Sequence, residues 1–97
     1  MTTKQQRVTH LIERIASEAG YTPLQFLHSV RKRDIARRDR LAYMLRQLGV
    51  TFKQISNIMQ HTSPPASFYA VQRCVDRMHT DVNEARVVRE LKEEIYA

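Results

Sequence analysis

The 97-residue chain contains two glycines, one cysteine, three prolines and no tryptophan, and each shortage removes a class of chemistry. A loop that cradles nucleotide phosphates needs several glycines close together so that backbone can approach the ligand. Gly20 and Gly49 stand alone and far apart, so nucleotide hydrolysis and dinucleotide chemistry are not expected. Cys74 is the single cysteine; it permits neither an internal disulfide nor a Cys-rich zinc site and suits a reducing compartment. No apolar run approaches the length of a bilayer span and no leader pattern is visible. The expected location is the cytoplasm, at the nucleoid in a bacterium or in the host cell if a phage encodes the chain. Neither a phosphate loop nor a metal-ligand cluster is present in the sequence, so no cofactor or metal is expected. His79 with Asp76 is a nearby His–carboxylate pair, and it reads as a surface contact. No pair of carboxylates sits at an apolar site, which leaves acid–base catalysis without a candidate and points away from an enzyme.

What the chain does have is length for one domain and an excess of positive charge. Sixteen Lys and Arg oppose ten Asp and Glu, a formal net charge of +6. Residues 1–50 hold ten basic and four acidic side chains, whereas residues 51–97 hold six of each. The whole excess therefore belongs to the first half, and it peaks at Arg31, Lys32, Arg33, Arg37, Arg38 and Arg40. A basic cluster makes a polyanion the natural partner, because neutralising phosphates releases their condensed counterions.

Apolar spacing is helical throughout, with no alternation that would mark a strand. A first helix is expected from about Gln6 to Ala19, with Val8, Leu11, Ile12, Ile15 and Ala19 on one face and Gly20 as its stop. Thr22-Pro23-Leu24-Gln25 is a capping box with proline at the first helical position, opening a short helix that turns Leu24, Leu27 and Phe26 inward. A third helix, about Asp34 to Leu48, gathers Ile35, Leu41, Ala42, Leu45 and Leu48 into one sector; Arg33, Arg37 and Arg40 share another, within roughly 60° of each other at about 100° per residue. Thr51-Phe52-Lys53-Gln54 repeats the capping box and starts a fourth helix with Ile55, Ile58 and Met59 inside. Ser63 then caps a fifth helix that begins at Pro64-Pro65 and runs to about His79, with Phe68, Val71, Val75 and Met78 as its buried stripe. Asp81 caps a last helix carrying Ala85, Val88, Leu91 and Ile95, with Arg89 positioned to pair with Glu93. The expected fold is one all-α bundle of about six helices spanning residues 1–97.

The fourth and fifth helices, joined by His61-Thr62-Ser63, follow the helix-turn-helix plan, in which the second helix enters the major groove of DNA. On that plan the basic linker and the arginines of the third helix, Arg31, Lys32, Arg33, Arg37, Arg38 and Arg40, meet phosphates or the minor groove. Ser63, Ala66, Ser67, Tyr69 and Arg73 lie where the fifth helix would meet bases or backbone. The partner expected is double-stranded DNA, with a replication or transcription protein as the alternative. A membrane surface is a weaker expectation, because the apolar sectors are needed for the core.

From Val8 to Met78 the ordered features resemble the C-terminal DNA-binding domain of the DnaA replication initiators, a fold related to the Trp repressor. The resemblance is carried by Phe26-Leu27, Arg31-Lys32-Arg33, Ile35-Ala36-Arg37, Leu41-Ala42-Tyr43-Met44-Leu45, Ile55-Ser56-Asn57-Ile58-Met59 and Phe68-Tyr69-Ala70-Val71-Gln72-Arg73. It implies a small regulator of replication initiation or transcription. It further implies that Arg31 takes the place of the family's minor-groove arginine. The family's Arg-Gln pair is replaced by Asp39 and Arg40, and its Gly-Arg-Asp-His-Thr-Thr signature by Thr62-Ser63-Pro64-Pro65-Ala66-Ser67. The resemblance thus implies backbone binding without the initiators' own sequence preference.

Overall fold

Three helices begin in the same way, because Thr-x-x-Gln occurs at each start. The computed structural model describes residues 2–97. In it the Thr3, Thr22 and Thr51 hydroxyls accept the backbone N–H of Gln6, Gln25 and Gln54, and each glutamine side chain accepts the threonine N–H in return. Each box satisfies two amides that the helix itself leaves unpaired. The Thr3 box sets the first helix two residues earlier than its apolar pattern implies. The elements are α1 (Lys4–Glu18), α2 (Pro23–Leu27), a 3-10 turn (Lys32–Asp34), α3 (Ile35–Gln47), α4 (Phe52–Met59), α5 (Pro64–Thr80) and α6 (Val82–Tyr96), with no strand among the described residues. No helix among them is long and apolar enough to cross a membrane. Gly20 and Gly49 end α1 and α3 at φ +82° and +84°, where a Cβ would be strained. Gln60 ends α4 at φ +57° without that freedom.

Helix α3 is the centre. Its Leu41, Ala42, Met44 and Leu45 share one buried cluster with Leu11 and Ile15 of α1, Phe26 of α2, Ile55 and Met59 of α4, Ala70 and Cys74 of α5, and Val88, Leu91 and Ile95 of α6. One continuous core therefore joins all six helices.

Two faces depart from the helical-wheel reading. In α2, Phe26 is fully buried, Leu27 partly so, and Leu24 is 65 % exposed; a five-residue helix does not turn all three apolar side chains inward, and the aromatic ring packs beside Tyr21. In α5 the buried residues are Ser67, Ala70 and Cys74, whereas Phe68 is 47 % exposed and Val71, Val75 and Met78 are only partly covered. Small side chains let the α5 backbone lie close to α3, and the bulkier ones flank that seam. In α6 the expected Arg89–Glu93 pair is replaced by Arg86–Glu90, 3.3 Å apart.

Polar groups reinforce this arrangement from within. Asp39 and Arg40, consecutive on α3, are both buried and both paired. Asp39 accepts Arg73 Nε and a second Arg73 nitrogen at 2.9 Å each and Arg77 at 2.7 Å, linking α3 to α5. Arg40 donates to both oxygens of Glu84, at 3.1 and 2.7 Å, linking α3 to α6. A buried pair adds little over apolar packing, but removal of one partner strands the other charge at a cost of about 3–5 kcal/mol. Arg40→Ala should therefore lower the urea midpoint sharply, while Arg40→Met combined with Glu84→Leu should recover most of it. A double variant as unstable as the single one would contradict this account.

Candidate nucleic-acid interface

Internal pairing divides the basic residues into two groups. Arg40 belongs to the interior, as described. Arg38 is also turned inward: its guanidinium donates to the carbonyls of Phe26, Leu27 and Met59 at 2.9, 2.7 and 2.9 Å. Burial lowers its pKa from the ordinary arginine value, and the charges of Asp39 and Asp34 oppose that shift. Arg37 is half-buried, with Nε 3.7 Å from the Glu18 carboxylate. The phosphate-facing arginine sector expected of the third helix is thus corrected: Arg38 and Arg40 are structural, and Arg37 faces an acid on α1. The wheel failed because charged residues count as outward by default, whereas these are matched by buried carbonyls and Glu84.

The basic loop behaves differently. Arg31 and Lys32 are exposed, and neither side chain has an ion pair or hydrogen bond among the described residues. Arg33 is exposed as well, donating to the Tyr21 hydroxyl at 2.7 Å and lying over its ring. The loop is anchored by Asp34, which is buried and accepts Ser29 Oγ and Tyr21 Oη. The Ser29 bond, opposed by desolvation and aided by Tyr21, holds the Asp34 carboxyl below its ordinary pKa. A buried acid thus fixes the base of a loop whose outer side is cationic.

The segment that leads into that loop, His28 to Val30, sits against the C-terminal end of α4. Arg38 bridges α2 to the Met59 carbonyl, His28 and Gln60 are hydrogen-bonded at 2.6 Å, and a small cleft is lined jointly by His28, Val30, Arg38, Met59 and Gln60. The turn between α4 and α5 is pinned by Ser56 Oγ donating to the His61 carbonyl at 3.2 Å and by His61 Nδ1 with Ser67 Oγ at 2.7 Å.

On α5 the outward residues are Pro64, Pro65, Phe68, Tyr69, Gln72, Arg73 and Asp76, the i, i+1, i+4, i+5 spacing of a single helix face. Ser67 is not on it. It is fully buried and committed to His61, which corrects the expectation that its hydroxyl meets DNA. Ala66 and Ser63 are partly covered, and Ser63 caps α5 by position without a side-chain hydrogen bond. Tyr69 is 61 % exposed, and Arg73 keeps half its side chain in solvent while bound to Asp39. Exposed residues of this face and its surroundings that the sequence reading did not single out are Phe68, Pro64, Pro65 and Lys53 of α4. Their signal was available: the two prolines, Phe68-Tyr69 and Gln72-Arg73 recur every four residues.

Cys74 lies under α5 with its thiol pushed up to about 12, by burial first and the nearby Glu84 charge second, so it packs as an apolar group. No group of three or more His, Cys, Asp or Glu among the described residues is placed to share a metal ion. Among known proteins, no family model, no curated protein and no solved structure matches the chain.

His61 connects the turn to stability. Desolvation lowers its pKa below 6.5, with Arg38 and Arg73 acting in the same direction and Asp39 against it. The folded state thus favours neutral imidazole, while the unfolded chain titrates near 6.5. The His61 contribution is complete above that pH and is lost as pH falls from there through the lower folded value. Urea unfolding across this window should show stability declining with acidification, and a smaller decline in His61→Gln. Equal slopes in the two proteins would remove His61 from the account.

Proposed function

We propose that the chain is a helix-turn-helix module that binds double-stranded DNA and regulates replication initiation or transcription, in the manner of the initiator domain it resembles. The observation that carries this reading is the packing of His28 and Val30, just ahead of the Arg31–Arg33 loop, on Met59 and Gln60, just ahead of the turn that leads into α5. Exposed, unpaired Arg31 and Lys32 follow one side of that junction along the chain, and the exposed face of α5 follows the other. In this arrangement Arg31 and Lys32 neutralise phosphates, with Arg31 able to reach into a minor groove, while α5 enters the adjacent major groove. Arg73 adds a half-exposed guanidinium at the far end of the face, held in place by Asp39. The module is a binder rather than a catalyst, and its net charge serves attachment to the DNA backbone.

A second reading, a protein-interaction module for a replication or transcription protein, is favoured by one observation: Phe68 and Tyr69 stand exposed side by side. A stoichiometric protein partner that binds equally well to an Arg31→Ala, Lys32→Ala chain would support that reading over DNA.

Titration of fluorescent duplexes at several salt concentrations tests the DNA reading. Affinity should fall linearly with the logarithm of salt, and Arg31→Ala and Lys32→Ala should each reduce the slope by about 1. Absence of binding even at low salt, or affinity insensitive to salt, would overturn it.

A further inference from the structure

The face that α5 presents is poor in hydrogen-bonding groups. Its first turn carries Pro64 and Pro65, which have no backbone N–H to offer. Its second turn carries Phe68 and Tyr69, whose rings meet edge to face at 5.6 Å. Phe68 is also edge-on to Phe52 of α4 at 5.7 Å, so the aromatic group is propped from beneath and stands as a fixed apolar ridge. Gln72, one turn further, spends its amide on Asp76 at 3.2 Å. The polar side chains that read guanine or adenine edges bidentately are therefore lacking at this end of the helix.

The ridge is bordered by cations. The Arg46 guanidinium lies 4.5 Å over the Phe52 ring, Lys53 is exposed beside Phe52, and Arg73 follows Tyr69 by one turn. Asp76 is the one acid on the outward face of α5, and Asp39 is buried beneath two arginines. An apolar ridge with a cationic border matches a surface that is apolar at its floor and anionic at its walls. The major groove of duplex DNA is such a surface wherever thymine C5-methyl groups line it.

We propose that the outward face of α5, through Pro64, Pro65, Phe68 and Tyr69, reads thymine methyl groups in the major groove. This inference rests on the DNA-binding reading above and specifies how that site selects sequence. Preference comes from apolar contact, and the flanking cations set orientation. The sites preferred are rich in thymine opposite the ridge.

Replacing thymine by deoxyuridine removes the methyl group and leaves every hydrogen-bonding edge in place, which isolates this contact. A duplex selected by the full chain from a random pool is synthesised with thymine and with deoxyuridine, and both forms are titrated at one salt concentration. Each buried methyl should contribute about a fourfold difference in affinity. Tyr69→Ala, at an exposed position that the core does not use, should shrink the difference between the two duplexes. Its loss of affinity for the deoxyuridine form should be smaller than its loss for the thymine form, with Tyr69→Phe behaving as wild type. Equal binding to both duplexes by the wild-type chain overturns methyl reading while the DNA-binding function stands. A Tyr69→Ala chain that keeps the full thymine preference overturns the assignment to this face. Tighter binding to single strands than to either duplex, lost in Tyr69→Ala, makes the ridge a base-stacking platform and also overturns it. No binding to any of these probes removes the DNA-binding function itself, a result distinguishable from the others.

Discussion

The placement of α5 and α6 depends on two opposite charges buried side by side on α3. Asp39 and Arg40 are neighbours in sequence, yet they face different helices, because consecutive residues on a helix point about 100° apart. Asp39 draws Arg73 and Arg77, and with them α5; Arg40 draws Glu84, and with it α6. Apolar packing supplies most of the stabilisation, but it tolerates rotation of a helix about its axis. The paired charges do not, since a slip strands a buried ion. They therefore select one rotational setting of α5, and that setting decides which of its residues reach solvent.

The same interaction explains where sequence and structure part. Helix existence and ends were legible, because capping threonines, prolines at helix starts and terminal glycines act locally. So was the apolar stripe of α6, where Val88, Leu91 and Ile95 are buried as their spacing implies. The face of α5 was not legible. A wheel built on hydrophobicity turns Phe68 inward, whereas Asp39 requires Arg73 and Arg77 to lie toward α3, and Ala70 and Cys74 come inward on the same seam. The information that rotates the helix resides thirty-odd positions away on another helix, beyond any local window.

Charge followed a similar course. The cluster in residues 31–40 was correctly located as the basic centre of the chain, but it divides into two parts of different kind. Arg31 and Lys32 remain available, while Arg38 and Arg40 are consumed by carbonyls and a carboxylate within the fold. Six adjacent cations read as one surface; the structure makes two of them part of the interior. The exposed cations of the loop and of the surroundings of the aromatic ridge are Arg31, Lys32, Arg33, Lys53, Arg46 and the half-exposed Arg73, while others such as Lys4 and Arg89 are exposed elsewhere on the fold.

The two prolines at the start of α5 have an effect on association that their chemistry as apolar surface does not convey. Each fixes its own φ angle near the helical value in the unfolded and the folded chain alike. The first turn of the helix is then already set before anything approaches it, and the aromatic rings behind it are braced against Phe52. Little rotamer or backbone freedom remains to be lost on contact, which lowers the entropic cost of complex formation for a surface that offers few hydrogen bonds in return.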